Sequence, residues 1–238
     1  MIASGKVIKF LRYAVAEIFL LVVGILIALQ INNWNENLQV KREEHKTLKS
    51  LQESIKNNIV EFDTIFDAQI LRSQSIKEAL LTDISEKSSY YLDSLVRRIV
   101  STHTFDPSSG VYYSIINSGK LELISNDTLK ARISRLYDLV RDYQESEDEV
   151  TAYTEVHLEQ YFIENYSIDP MVLAGVRKRT AQEEQNDKAN YVKNITSQKA
   201  KNVYILLLKK MENIFTKGQN LDLEYNSLLN QLETEILK

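Results

Sequence analysis

Cysteine is absent from the 238 residues, proline occurs twice, glycine 6 times and histidine three times. The missing cysteine excludes disulfides, thiolate metal sites and cysteine nucleophiles. It says little about compartment, because a helical domain of this size needs no covalent staples. So few chain breakers argue against a strand-and-turn architecture and for long helices. No excess of positive charge exists either: the net charge is -4, which gives no basic surface for nucleic acid. His45, His103 and His157 share no short metal-binding spacing, and each reads as a surface or helix-face residue. No phosphate-binding glycine loop is present, and Ser108, Ser109 and Ser114 lack a nucleophile-elbow context. The expectation is a protein without catalytic residues, metal ligands or cofactor.

What is present divides into one apolar stretch and a long polar remainder. Residues 13–31 read Tyr-Ala-Val-Ala-Glu-Ile-Phe-Leu-Leu-Val-Val-Gly-Ile-Leu-Ile-Ala-Leu-Gln-Ile. As a helix they span roughly 28 Å, the thickness of a bilayer's hydrocarbon core. Lys6, Lys9 and Arg12 precede the stretch, and Trp34 follows at the place of an interface anchor. A cleaved signal peptide would have a shorter apolar core and a small-x-small site after it. Leu29, Gln30 and Ile31 after Ala28 make a poor site, so the reading is an uncleaved signal anchor. Lys41, Arg42 and Lys46 also fall in the charge-counting window. The closer basic cluster favours an internal amino terminus, with 1–12 a short cytoplasmic end and 32–238 an exported, periplasmic domain.

Glu17 is the unusual residue, since carboxylates inside membrane spans are rare. It shares a helical stripe with Leu21, Gly24 and Ala28. Gly24 and Ala28 have the small-x-x-x-small spacing that lets two helices approach closely. Three readings stay open: an assembly face, a neutralised carboxylate reaching the headgroups, and, ranked below both, a proton-accepting group of a motor or transporter.

No Gly or Pro lies between Gly24 and Pro107, so the apolar helix can run on unbroken. Leu48, Leu51, Ile55, Phe62, Ile65, Phe66 and Ile76 recur at helical spacing. The polar cluster 82–89 predicts a turn, and 89–103 a second helix. Phe105-Asp106-Pro107-Ser108-Ser109-Gly110 is the clearest loop. It is followed by a short helix over 111–117 that ends through glycine chemistry at Ser118-Gly119. Ser125-Asn126-Asp127-Thr128 starts a further helix, with Leu129, Ile133, Leu136, Val140, Tyr143, Val150 and Tyr153 on its apolar face, ending near Asp169-Pro170. The stretch 181–190 reads as an exposed or mobile polar segment. A last helical block begins near 190, with Gly218 as a candidate kink. The acidic run Glu145, Glu147, Asp148 and Glu149 reads as a solvated face. Of the 13 tyrosines, Tyr112, Tyr113, Tyr137, Tyr143, Tyr153, Tyr161 and Tyr166 cluster in the middle of the chain, which suits half-buried helix seams and leaves room for a groove near the 105–124 loop.

Residues 13–36 resemble the signature of an uncharacterised family, a domain of unknown function in single-pass membrane proteins of flavobacteria and related Gram-negative bacteria. Glu17, Gly24, Gln30 and Asn32-Asn33-Trp34-Asn35 carry the likeness, joined by Phe105, Pro107, Tyr112 or Tyr113, and Ser118-Gly119 with Leu121, Leu123 and Ile124. The resemblance implies an inner-membrane protein with a periplasmic helical domain and brings no activity.

The expected architecture is therefore all-α: one N-terminal transmembrane helix continuing into a long-helix antiparallel bundle. Its expected partners are the lipid bilayer and a second copy or another membrane protein on the Glu17, Leu21, Gly24 and Ala28 face. Phe105, Pro107, Tyr112, Tyr113 and Gly119 form a candidate interaction loop. The leading role is a non-enzymatic scaffold or accessory subunit. A periplasmic ligand-sensing bundle acting through a partner, and a proton-coupled motor subunit using Glu17, are the alternatives.

Overall fold

The structure, a computed structural model, describes the backbone of residues 3–167, 169–173 and 175–237, with their side chains except at 3–14, 16, 170 and 173. Met1, Ile2 and the side chains of Lys6, Lys9 and Arg12 thus lie outside the described part of the expected N-terminal end. Helix α1 runs without interruption from Ala3 to Leu81, 79 residues and roughly 120 Å. Within it lies an apolar stretch long enough to cross a membrane, and none of that stretch is buried. Burial begins at Thr47 and Leu48 and then recurs every third or fourth residue through Leu51, Ile55, Phe62 and Ile76.

The chain then returns along α1. Ile84 tucks into the core at the turn, Ser88 caps α2 (Ser89–Val100) by accepting from the Tyr91 N–H, and 101–109 is neither helix nor strand. Helix α3 (Gly110–Asn117) ends before Gly119, whose φ of 71° is the left-handed conformation that glycine adopts without strain. A 3-10 turn (Lys120–Leu123) follows, and Ser125 meets the Glu44 carboxylate at 2.7 Å. Helix α4 (Asp127–Tyr153) climbs back from there, capped by Asn126 accepting from the Leu129 N–H. It passes through a π turn (Thr154–Glu159) into α5 (Gln160–Asn165) and short α6 (Pro170–Leu173). Helix α7 (Ala181–Ile195) packs beside α2, and α8 (Gln198–Ile236) descends the whole bundle. Contacts fix the antiparallel register of α8. Tyr153 Oη donates to the Val203 carbonyl at the far end, while Gln52 donates to Glu233 and Asn126 to Glu235 at the near end. The architecture is all-α and antiparallel, as the sequence predicts.

Several details depart from the sequence expectations. Helix α2 stops at Val100 rather than 103, because the following segment is drawn out to seat Phe105. The polar stretch after 180 is helical, held at its start by a capping box in which Thr180 and Glu183 each bond the other's backbone N–H. The last helix begins at Gln198, with Ser197 as its cap.

Gly218 makes no kink, and α8 continues through it. It sits directly against Phe66: a Cβ there would lie 2.3 Å from Phe66 Cε2. Glycine to alanine in an exposed helix usually gains about 1 kcal/mol. Here the Phe66 ring stacks on Phe62 at 5.3 Å and meets Phe215 at 6.1 Å, so it cannot move aside freely. Gly218→Ala is expected to destabilise the bundle by about 1–3 kcal/mol, read as a lower denaturation midpoint. An unchanged or raised midpoint would show that Phe66 relocates at no cost.

Candidate functional site

The irregular segment 101–109 lies on the bundle as a strap. A backbone without helix or ladder partners relies on side chains to satisfy its polar groups. Gln69 Nε2 donates to the His103 carbonyl. The Phe105 N–H donates to Glu147 Oε2 at 2.9 Å, and its carbonyl accepts from Gln144 Nε2 at 3.0 Å. The Ser108 N–H donates to Asn58 Oδ1 at 3.0 Å. Between these bonds the Phe105 ring enters the core, meeting Phe62 at 5.3 Å and Tyr143 and Tyr225 each at 6.3 Å. Phe105 therefore lies beneath the loop, 1% exposed, and not on its surface.

Above Phe105 the core turns polar. Arg72 is 1% exposed; its Nε donates to the Ile99 carbonyl at 2.9 Å and its Nη2 to Thr154 Oγ1 at 2.7 Å. The same Thr154 hydroxyl donates back to the Val150 carbonyl, at the start of the π turn. Burial without an acidic partner pulls the Arg72 guanidinium down to about 10. Glu147, also 1% exposed, is pushed up to about 7 by burial, against the lowering effect of the Phe105 N–H and of the nearby Tyr143 hydroxyl and Gln69 amide. Gln69 Oε1, Arg72 Nη1, Tyr143 Oη and Glu147 Oε1 make no hydrogen bond of proper geometry. Glu147 is thus a correction to the solvated-face reading of the acidic run: its neighbours Glu145, Asp148 and Glu149 are exposed and it is not. The signal was available, because Tyr143, Glu147, Val150 and Thr154 share the spacing of a single buried stripe.

Below Phe105 the strap forms one wall of a cleft of 240 Å³. Leu51, Ile55, Leu136 and Tyr225 supply its buried floor. Tyr112 of α3 stacks on Tyr137 of α4, with ring centroids 5.6 Å apart and planes 8° from parallel. Tyr113 stands edge-on to both, and its hydroxyl donates to that of Tyr137 at 3.2 Å. Pro107, Asp106 and Arg141 complete the rim. Of the candidate loop, Pro107, Tyr112 and Tyr113 thus gather at one opening, and Gly119 lies beyond it at the turn after α3. Other tyrosines fill seams: Tyr161 Oη donates to the Asn194 carbonyl at 2.8 Å, and Tyr191 to Asp93 at 2.9 Å.

The remaining predicted residues are apart from this cleft. Glu17, Leu21, Gly24, Ala28 and Trp34 all lie exposed on the lower half of α1. Among the described residues, no group of His, Asp and Glu converges as a metal site.

No curated protein and no solved structure matches the chain. One protein family matches residues 17–151, which hold most of the apolar stretch, the strap, Gln69, Arg72 and Glu147 of the polar centre, and the cleft's tyrosine wall. The chain belongs to this family of unknown function, DUF6090.

Proposed function

We propose that the chain is a single-pass membrane protein of the inner membrane and a non-enzymatic scaffold or accessory subunit of a membrane complex. In this reading 13–31 cross the bilayer, the amino terminus is cytoplasmic and the bundle is periplasmic. The observation that carries it is the continuity of α1: one unbroken helix is bare along its apolar half and buries one face in the bundle along its upper half. An apolar surface of that size left in water is unfavourable at about 25 cal/mol per Å², so lipid and a partner helix are its natural cover. The bundle closes its own core without the lower helix, which leaves the Glu17, Leu21, Gly24 and Ala28 stripe available for a partner.

The test is mass measurement of the full chain from mild detergent, with affinity purification from native membranes. A defined oligomer or a stoichiometric partner is expected, lost on replacing Gly24 and Ala28 together with isoleucine. Monomer alone, with no co-purifying protein, would defeat the reading.

A further inference from the structure

The rim of the tyrosine cleft carries two opposite charges that are not paired with each other. Arg141 approaches only Asp138 and Glu145 among the described residues, each at 3.7 Å. Asp106, on the strap, has no hydrogen bond or ion pair there. Both are exposed, and both line the same opening. Beneath them lie aliphatic side chains and aromatic rings. A guanidinium and a carboxylate over an apolar, ring-walled floor complement a molecule with a carboxylate, an ammonium and an apolar side group. The volume of 240 Å³ falls below the range of about 300–1,000 Å³ typical of drug-sized sites. It suits an occupant no larger than a single amino acid.

We propose that this cleft binds an apolar or aromatic amino acid, its carboxylate on Arg141, its ammonium on Asp106 and its side chain against the Tyr112 and Tyr137 rings. The walls come from α1, the strap, α3, α4 and, through Tyr225, α8. An occupant therefore bridges the strap to the helices behind it. Binding is independent of whether the membrane helix finds a partner, since every wall belongs to one chain.

The experiment uses the full chain in lipid nanodiscs and calorimetric titration with L-leucine, L-phenylalanine and L-tyrosine. Phenylacetate, without the ammonium, and phenethylamine, without the carboxylate, are the matched controls. Saturable binding of at least one amino acid is expected, weakened roughly tenfold or more when either charge of the ligand is missing. Arg141→Gln is expected to erase the preference over phenethylamine alone, and Asp106→Asn the preference over phenylacetate alone. Both substitutions are at exposed positions and should leave the denaturation midpoint in place. Absence of saturable binding by all three amino acids overturns the proposal. So does binding that neither variant changes, which would place the ligand elsewhere.

Discussion

Phe105→Ala is expected to lower the unfolding free energy by about 3–5 kcal/mol. The ring is surrounded by Phe62, Tyr143 and Tyr225, which belong to α1, α4 and α8 respectively. Deleting it opens a void where three long helices meet, and their aromatic side chains have limited rotamer freedom to refill it. The loss extends to the strap, which accepts from Gln69 and Gln144 and donates to Asn58 and Glu147, bonds that all depend on Phe105 holding the segment in place. Denaturant unfolding of the detergent-solubilised chain measures the effect. Asp106→Asn, next along the strap but exposed, serves as the control and is expected to stay within about 0.5 kcal/mol. If the two substitutions cost the same, Phe105 is not the anchor.

Glu147→Gln is expected to stabilise the protein in a pH-dependent way. The ordinary value of the carboxyl is 4.5, and in the fold it stands at about 7. Between those values the folded state holds the proton more tightly than the unfolded chain does. Stability contributed by this group is therefore greatest at low pH, falls as pH rises from about 4.5, and levels off above about 7. Glutamine keeps an acceptor for the Phe105 N–H and carries no charge to desolvate. The variant should differ from wild type by under about 1 kcal/mol at pH 5 and by on the order of 3 kcal/mol at pH 8. His103 works in the opposite sense. Burial and Arg72 lower its value below 6.5, so its contribution is present above 6.5 and lost on acidification. It is common to both proteins and cancels in their difference. A difference that is flat from pH 5 to 8 would mean that Glu147 is ionised at no cost, through polar contacts other than those described.

The helices were legible because their signals are local and repeated. Leu48, Leu51, Ile55, Phe62 and Ile76 on α1, and Leu129, Ile133, Leu136 and Val150 on α4, mark their buried stripes by spacing alone. Asn126 reads as a cap because its side chain serves a backbone group three residues away. Composition alone is not enough: Leu206 is as apolar as Leu207, yet it is exposed while Leu207 is buried, because one residue turns a helical side chain through about 100°. The site was only partly legible. Pro107, Tyr112 and Tyr113 stood out as a loop, but Tyr225 and Arg141 reach the same opening from other helices, and only the tertiary arrangement brings them there. Gln69, Arg72 and Glu147 were hidden for another reason. Polar side chains ordinarily mark the solvent face, and here they point inward to hold the strap and the core beneath it. The π turn at Thr154–Glu159 also left no signature in composition.

The continuity of α1 also sets an azimuth. Phe62 lies 45 positions beyond Glu17 on the same unbroken helix, which is about 12.5 turns at 3.6 residues per turn. The half turn left over puts the bundle core on the side of the helix away from Glu17, Gly24 and Ala28. A partner helix on the proposed assembly stripe would stand on the side of α1 opposite the bundle core. Inserting a single residue between Asn35 and Val40 would swing the bundle by about 100° around the helix axis, leaving both halves intact and changing only which way the cleft looks.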